Sequence, residues 1–316
     1  MFRLTLLPLL ILLLTACSGN QSKQVVYLDN FYQYQIYTPN SEPITIDELT
    51  QSIQTADVIL VGEWHTHSGI HRFQTELLQS LLNQNRTVAL SMEQFSRDHQ
   101  DALDAYLESK IGEQTLIKQT NAWPNYLSDY RPLVELAKKY QSDIIAANAP
   151  KQIVRCVGQL GLNYLDTLTP AQRSFVAESI NTDSSPYKNV FMESMHHGDE
   201  EQTERQYAAQ ISWDETMAES IVNYLENNST TTVMHIAGSF HVQQGLGIKS
   251  SILKRNPALN VVVITPQSIN ELSPRSDNDY QLAVLAPPIR YVKIENKMAA
   301  YHSIKKRNHQ LECSTN

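Results

Sequence analysis

The segment Val58-Ile-Leu-Val-Gly-Glu-Trp-His-Thr-His67 decides the fold and locates the candidate site. Its first four residues are a continuous apolar run, which predicts a strand buried on both faces. Gly62 ends this run, and polar residues follow it directly. The sequence therefore predicts that Glu63, His65 and His67 lie in a loop at the carboxyl end of a buried strand.

A second segment, Val233-Met-His-Ile-Ala-Gly-Ser-Phe-His241, has the same design. The spacing from Gly238 to His241 equals that from Gly62 to His65, so both apolar runs end in Gly-x-x-His. Glycine suits both positions because a strand that turns sharply there must avoid a clash at Cβ. Two strands that each present a histidine at the carboxyl end indicate a shared site.

Further apolar strands alternate with segments of helical period. Apolar residues at 70, 73, 77, 78, 81 and 82 predict a helix after the first segment. Strands are predicted at 57–61, 87–93, 143–148, 230–237, 260–265 and 281–286. This alternation predicts an α/β fold with a mainly parallel sheet flanked by helices.

Residues 151–228 contain no predicted strand. This stretch is longer than an ordinary connection between strands, so it predicts a large helical insertion or lid over the sheet. A helix is predicted at 200–226, preceded by a loop at 187–200. The loop contains side chains that could line an apolar pocket: Met192, Met195, His196 and His197.

The N-terminus predicts a lipoprotein. Arg3 precedes an apolar run with the length of a signal-peptide core, too short to cross a membrane as a stable helix. The sequence Leu14-Thr-Ala-Cys17 then resembles the lipobox of bacterial lipoproteins. We expect a signal peptide at 1–16 and a lipid on Cys17, which would anchor the protein in the cell envelope. Ser18, where an aspartate would favour the inner membrane, points to the outer membrane.

The remaining chain is expected to form one domain. A lipid-anchored tether is predicted at 17–40, an α/β domain at 41–300 and a polar tail at 301–316. The formal net charge of −8 argues against a nucleic-acid partner, which would require a basic surface.

Two further cysteines, Cys156 and Cys313, bear on the redox state of the protein. A disulfide between them is possible in an exported protein. Cys156 lies in the apolar helical sequence Ile-Val-Arg-Cys-Val, however, where cysteine is typically a small buried hydrophobic residue. Cys313 lies in the polar tail, so the sequence does not favour a bond.

Polar residues follow four of the predicted strands. Glu63 and His65 follow the first, Glu93 and Asn148 follow the next two, and His241 follows the fourth. Open α/β sheets bind ligands beyond the carboxyl ends of their strands. We therefore expect these side chains to converge in one crevice.

Two histidines and a carboxylate allow two kinds of chemistry. His65, His241 and Glu93 could hold a divalent metal such as zinc, because imidazole and carboxylate are both zinc ligands. Without a metal, Glu63 or Glu93 could orient an imidazole that activates water for attack on an ester or amide. The His-Glu-x-x-His sequence of many zinc proteases is absent, so both routes stay open.

Tyrosines offer a third chemistry, haem ligation. Tyr126 and Tyr130 lie in an aromatic segment before a predicted helix, and Asn148 follows soon after as a further candidate contact. A tyrosinate or an imidazole can be an axial ligand of haem iron.

Several separated motifs support the haem reading. They are Leu60-Val-Gly-Glu-x-His65, Glu93 in Ser-Met-Glu-Gln-Phe, Trp123 through Tyr130-Arg-Pro, Ile145-Ala-Ala-Asn-Ala-Pro150, Gln210-Ile-Ser-Trp-Asp-Glu-Thr-Met-Ala218 and Ala237-Gly-Ser-Phe-His241. Together they resemble the ChaN-like haem-binding lipoprotein family, which shares a superfamily with the Tiki proteases and the erythromycin esterases. The resemblance covers roughly residues 45–265 and agrees with the lipobox.

The resemblance implies an iron-regulated surface lipoprotein that assists haem or iron acquisition and works with a receptor or transporter. It also implies haem stacked across a homodimer, with a tyrosine as iron ligand. Tyr130 is the first candidate for this ligand and Tyr126 the second. A histidine of the partner subunit is expected near the propionates, and the candidates are His67, His71, His196 and His197.

The wider superfamily implies a different activity, a hydrolase centre at His65, Glu93 and His241. Haem binding is our leading hypothesis, and an esterase-like or peptidase-like hydrolase is the alternative. A lipid-anchored structural protein with an inactive crevice is the third.

Overall fold

The computed structural model of the chain describes residues 27–84, 86–194, 199–271, 279–309 and 312–313, with the backbone alone at 304–309. The predicted signal peptide, Cys17, Met195 and the pair His196 and His197 lie outside the described residues. Within them, no helix has the length and apolar composition that crossing a membrane requires.

Strands and helices alternate along the described chain. The strands are β1 (Gln35–Tyr37), β2 (Pro43–Ile44), β3 (Val58–Glu63), β4 (Val88–Ser96), β5 (Ile144–Asn148), β6 (Thr232–Gly238), β7 (Val261–Ser268) and β8 (Tyr280–Val284). The helices are α1 (Ile46–Ser52), α2 (Ser68–Asn83), α3 (Gln100–Leu107), α4 (Glu113–Gln119), α5 (Arg131–Tyr140), α6 (Lys151–Leu160), α7 (Pro170–Arg173), α8 (Pro186–Ser194), α9 (Glu200–Asn227), α10 (Ser239–Val242), α11 (Ile248–Arg255) and α12 (Ile294–His309). A π-helical segment, Tyr126–Tyr130, leads into α5.

The strands form an eight-stranded sheet in the order β2-β1-β8-β7-β3-β6-β4-β5. Strands β3 to β8 run parallel to one another, and β1 and β2 add an antiparallel edge. Every residue of β3 and β6 is buried, as expected for central strands covered on both faces. The predicted α/β fold with a mainly parallel, helix-flanked sheet is confirmed.

Alternate residues of β3 point into two separate cores. On one face, Ile59 and Val61 pack with Phe73 of α2 in a core that also contains residues of α5. On the other face, Leu60 packs with Ile221 of α9 in a core that also contains residues of α11. Burial on both sides fixes the register of the central strand and therefore the position of the loop that follows it.

The predicted insertion consists of α6 to α9 and contains no strand in its described part, 151–194 and 199–228. Helix α9 has 28 residues, a length of about 42 Å. Its C-terminal half covers the sheet, whereas Ala208 in its N-terminal half packs with Val154 and Val157 of α6 in a separate core. One continuous helix therefore joins the insertion to the sheet.

The prediction of a loop at 187–200 is wrong for its first half. Helix α8 spans Pro186–Ser194 instead. Tyr187 and Phe191 lie four residues apart on one helix face, and both bury against Tyr207 and Ile211 of α9. Tyr187 and Phe191 are the only buried residues of α8, too few to reveal the helical period in the sequence.

The expectation for the two cysteines is also wrong. Cys156 and Cys313 form a disulfide, with their Cα atoms 5.6 Å apart. Cys156 is buried as predicted, but Cys313 packs against the same core and so brings its sulfur within reach. Helix α12 crosses the predicted tail boundary at 301 and continues to His309.

Candidate functional site

The carboxyl ends of β3, β6, β4 and β5 are neighbours in the sheet, so the polar residues that follow them converge. The backbone N–H of Gly238 donates to Glu93 Oε2 at 2.6 Å. Asn148 Nδ2 donates to the carbonyl oxygen of Glu93 at 3.1 Å and thereby braces its backbone. We define the strand-end crevice by three residues: His65, Glu93 and His241.

Glu63 holds the ring of His65 in a fixed orientation. Nδ1 of His65 lies 2.8 Å from Glu63 Oε1, so it donates its proton to the carboxylate. The same oxygen accepts hydrogen bonds from Tyr130 Oη at 2.6 Å and Gln94 Nε2 at 3.1 Å. Gln74 Nε2 donates to Oε2 at 2.8 Å. The buried carboxylate is therefore fully satisfied, and the other imidazole nitrogen of His65 lies beside the crevice.

Burial disfavours the charged forms of Glu63 and His65, whereas their hydrogen bond favours these forms. Burial alone would raise the pKa of Glu63, but its hydrogen bonds and the nearby charge of His71 lower the pKa below the usual value. Burial would likewise lower the pKa of His65, but the hydrogen bond to Glu63 and the charge of Glu93 raise it above the usual value. The arrangement thus stabilises a carboxylate and an imidazolium.

Asp214 of α9 holds His241 in the same way. Its Oδ1 lies 2.7 Å from His241 Nδ1, and its Oδ2 accepts a hydrogen bond from Tyr187 Oη at 2.8 Å. Gln210 Nε2 lies 3.0 Å from the Tyr187 hydroxyl and 3.0 Å from His241 Nδ1. Each Gly-x-x-His histidine is therefore held by a buried carboxylate that also accepts a hydrogen bond from a buried tyrosine.

His241 is charged at neutral pH. Burial would lower its pKa, but the charges of Asp214 and Glu93 and the hydrogen bond to Asp214 raise it to about 9. Its Nε2 lies 3.7 Å from Glu93 Oε1. Glu93 therefore faces one imidazolium, and its charge also favours the protonated form of His65.

Both glycines of the Gly-x-x-His segments are required by close packing. A Cβ on Gly238 would lie 2.9 Å from His65 Cε1 and 3.6 Å from His241 Cδ2. A Cβ on Gly62 would lie 2.8 Å from Val242 Cγ2. Neither glycine has a positive φ, so the predicted clash at Cβ, and not a left-handed backbone, is what favours glycine here. Glycine at 238 leaves room for the imidazole of His65.

His67 directly precedes helix α2, His71 lies in its first turn, and both rings contact backbone carbonyl oxygens. His67 Nε2 lies 3.0 Å from the carbonyl oxygen of Leu285. His71 Nδ1 lies 3.0 Å from Gln74 Oε1, and its Nε2 lies 3.1 Å from the carbonyl oxygen of His65. Both histidines are only about 5% exposed or less, so neither presents its ring to a ligand in this conformation.

Tyr130 and Tyr126 are buried in the core. Tyr130 is completely buried, and burial together with the charge of Glu63 raises the pKa of its hydroxyl, which opposes the tyrosinate form. Tyr126 is 2% exposed, burial raises its pKa, and its hydroxyl has no hydrogen-bond partner among the described residues. Either hydroxyl could reach an iron only after the surrounding side chains had moved, and the ligand role stays a prediction.

Sequence reasoning missed Asp214 and Tyr187. A signal for Asp214 was present, because it lies at a buried position of the helical stripe that includes Ile211, Ala218 and Ile221. A carboxylate at such a position is costly unless it is paired, and it therefore marks a polar partner nearby. No comparable signal pointed to Tyr187, since its segment did not show a helical period.

The donor set does not form a preorganised metal site. No group of three or more His, Cys, Asp or Glu side chains has metal-binding geometry in the part of the chain that the structure describes. The predicted zinc site at His65, Glu93 and His241 thus has no support.

A groove of about 460 Å³ between β1, β2 and the start of α1 contains Arg72 but none of the crevice residues.

One known protein family matches more than half of the chain. A family described as haem-binding uptake, Tiki superfamily, ChaN matches residues 49–252, which contain the whole crevice. The chain belongs to this family. The ChaN family resemblance deduced from the separated motifs is confirmed.

The fold of the ChaN family is also found in a solved relative. The structure of ChaN of Campylobacter jejuni, described with cofacial haem binding, is 19% identical, covers 82% of this chain and 100% of that one, and superimposes with a TM-score of 0.62. An erythromycin esterase in its open conformation is 13% identical and covers 85% of this chain and 87% of its own, with a TM-score of only 0.46.

A curated relative is much longer than this chain. Protein RETICULATA-RELATED 5, chloroplastic, of Arabidopsis thaliana is 23% identical over 201 residues, which are 60% of this chain. The chain spans only 27% of the length of that relative.

Proposed function

We propose that this protein is a haem-binding surface lipoprotein that assists haem or iron acquisition. The observation that carries the proposal is the ChaN family match over residues 49–252. The described cofacial haem binding of ChaN of Campylobacter jejuni, which has the same fold, supports haem as the ligand. The strand-end crevice is the proposed binding surface.

The side chains of the crevice fit a haem iron through His65. This side chain is 45% exposed, and Glu63 holds its Nδ1 proton. Histidines that ligate a metal usually donate their second N–H to a carboxylate or carbonyl, which fixes the ring and raises its basicity. Histidine is also a common axial ligand of haem. We therefore infer that His65 Nε2, after release of its proton to solvent, would hold the iron in preference to the buried Tyr130.

The ring of Trp123 forms an aromatic wall beside the His65 ring. The ring of Trp123 lies edge-on to His65, with 5.1 Å between the ring centroids, and it also contacts Tyr130 at 5.9 Å. Aromatic edges of this kind suit the flat apolar face of a porphyrin. When bound, the haem supplies a redox-active iron, and the protein supplies the imidazole ligand and the apolar wall.

A half-exposed ligand supports a dimer. His65 lies at the surface, so a haem bound to it keeps one face uncovered by the same chain. A second copy of the chain would cover that face and bury its apolar area. The proposed state is a homodimer with two stacked haems.

The lipobox supports attachment of the mature protein to the cell envelope through Cys17. Ser18 after the anchor favours the outer membrane. There the protein would pass haem to a receptor or transporter, and this localisation and partner are part of the proposal.

A haemin titration tests the proposal. The full-length protein should show a shifted Soret band, and size measurement should show dimerisation as haem is added. His65→Ala should abolish the shift, whereas His302→Ala, on exposed α12, should retain it. Loss of the shift in Tyr130→Phe but not in His65→Ala would transfer the ligand to Tyr130, and no shift in the unaltered protein would refute haem binding.

A second candidate function, hydrolysis, is favoured by the two histidine–carboxylate pairs next to Glu93. His241, with a pKa of about 9, is protonated at neutral pH and could donate a proton to a leaving group. Glu93 could accept the proton of an attacking water, and water would thus add across an ester or amide bond. Release of the products and proton exchange with solvent would restore both side chains.

A screen with model esters and peptides tests this second function. Turnover should be lost in Glu93→Gln and retained in Glu108→Gln, which changes an exposed residue. The absence of turnover in the unaltered protein would remove the hydrolase as a candidate without affecting haem binding.

A further inference from the structure

The segment 286–303, which follows β8 after Leu285, is exposed along almost its whole length. From Ala286 to Ser303 every side chain is exposed, except that Ala300 is half-buried. Its large apolar side chains are exposed as well: Ile289 is 82% exposed, Val292 91%, Ile294 62%, Met298 46% and Tyr301 42%. Helices in globular proteins are stabilised mainly by burying an apolar face, so α12 gains little of this from the domain it belongs to.

The apolar residues of α12 share one face. Ile294, Met298 and Tyr301 are spaced four and then three residues apart, which places them on one stripe of the helix. Lys293 and Lys297 each precede a residue of this stripe and flank it on one side. Lys297 Nζ lies 6.0 Å from the centre of the Tyr301 ring. Helix α12 therefore presents a short apolar stripe that is bordered by lysines, and the exposed apolar residues Ile289 and Val292 precede it.

The charge of this segment is opposite to that of the rest of the protein. Residues 286–309 contain six basic residues and one acidic residue, Glu295, a net charge of +5. The whole chain has a formal net charge of −8, so the remainder carries −13. Such a local excess of lysine and arginine beside apolar side chains is typical of helices that bind anionic lipid surfaces.

Both ends of the segment are fixed to the folded domain. At its start, the carbonyl oxygen of Leu285 lies 3.0 Å from His67 Nε2. Beyond its end, Cys313 is bonded to Cys156 of α6. The segment is thus held as a strap, and a surface that binds it also orients the domain.

We propose that residues 286–309 dock the protein onto an anionic phospholipid bilayer. The apolar stripe enters the boundary between headgroups and acyl chains, and the flanking lysines extend to the phosphates. A bilayer accounts for both the positive charge and the exposed apolar side chains. A nucleic acid would pair with the positive charge but would leave Val292 and Ile294 in water. A second copy of this chain would present the same positive segment, and like charges oppose that pairing. The proposed docking requires neither the lipid on Cys17 nor haem binding.

Hydrogen exchange on the full-length protein in vesicles provides the test. The protein is reconstituted into phosphatidylcholine vesicles with or without phosphatidylglycerol, and amide exchange of residues 286–309 is followed by mass spectrometry. We expect protection in the vesicles that contain phosphatidylglycerol and little in pure phosphatidylcholine. Lys293→Gln with Lys297→Gln should reduce the protection factor about fivefold for each lysine removed. Val292→Ser with Met298→Ser should abolish it.

A matched control separates docking from net charge. Lys118→Gln with Lys254→Gln removes the same charge from exposed positions on α4 and α11 and should leave the protection unchanged. Equal exchange in both kinds of vesicle overturns the proposal. Protection that rises with protein concentration in the absence of vesicles also overturns it, because the partner is then a second copy of the chain.

Discussion

Glu63 and Asp214 are buried carboxylates that hold Nδ1 of the two crevice histidines at nearly equal distances, 2.8 Å for His65 and 2.7 Å for His241. They come from different elements, since Glu63 ends strand β3 and Asp214 lies in helix α9. The similarity therefore does not come from a shared backbone geometry. What the two pairs share is a function, which is to fix an imidazole next to Glu93.

Asp214→Asn should lower the pKa of His241 from about 9 toward or below its ordinary value. The variant removes the negative charge that most strongly favours the imidazolium, while burial still disfavours it. Titration of the His241 ring signals by NMR would measure the change. Tyr187→Phe keeps the carboxylate and should leave the pKa raised. An unchanged titration of His241 in Asp214→Asn would contradict the assigned pair.

Gly238→Ala should displace His65 and weaken haem binding. The new methyl group would lie 2.9 Å from His65 Cε1, closer than packed carbon atoms approach. Gly112→Ala is the matched control, because a Cβ there meets no atom within 4 Å. Haemin titration of both variants would show a weaker Soret shift only for Gly238→Ala. Equal binding by the two variants would mean that haem does not depend on the position of His65.

The fold was largely predictable because the central strands are uniformly apolar. The runs 58–61 of β3 and 233–237 of β6 contain no polar residue apart from His235, and such runs predict a buried parallel strand. The convergence of His65, Glu93 and His241 followed from the same reasoning. Sheet order was not predictable, because nothing in a single sequence states which strands become neighbours.

The parts that could not be predicted depend on contacts between distant segments. Asp214 and His241 are 27 residues apart, and only the packing of α9 on the sheet brings them together. Cys156 and Cys313 are 157 residues apart and meet because Cys313 packs on the apolar core that contains Cys156. Tyr130 was the first candidate for the iron ligand, yet its hydroxyl is the partner of a buried carboxylate.

The free energy of unfolding should fall as pH rises from about 6.5 to 9. His241 has a folded-state pKa of about 9, above its unfolded value of 6.5, so its charge stabilises the fold below pH 6.5 and this contribution is lost as pH rises through 9. The shift corresponds to about 3 kcal/mol. Urea unfolding across this range would measure the slope, and His241→Asn should flatten it. An equal slope in that variant would assign the effect to other groups.

His235 should have the opposite effect: its contribution lowers the free energy of unfolding as the pH falls into the acid range. This residue is completely buried on β6, and burial lowers its pKa to about 3. Between pH 6.5 and 3 the unfolded chain takes up a proton that the folded chain does not, so stability falls by about 1.4 kcal/mol per pH unit. Urea unfolding of His235→Gln should show a shallower acid slope than the unaltered protein. An identical slope would place the acid sensitivity elsewhere.

Reduction of the disulfide should destabilise the protein and loosen the strap formed by residues 286–309. A bond between residues 157 positions apart restricts the unfolded chain over most of its length, and native disulfides commonly contribute about 2–4 kcal/mol. Urea unfolding with and without a thiol reductant would measure this loss. The variant Cys156→Ser with Cys313→Ser should match the reduced protein and should not respond to reductant. If the double variant were as stable as the oxidised protein, the bond would serve only to hold α12, and faster amide exchange in residues 294–303 would be its remaining effect.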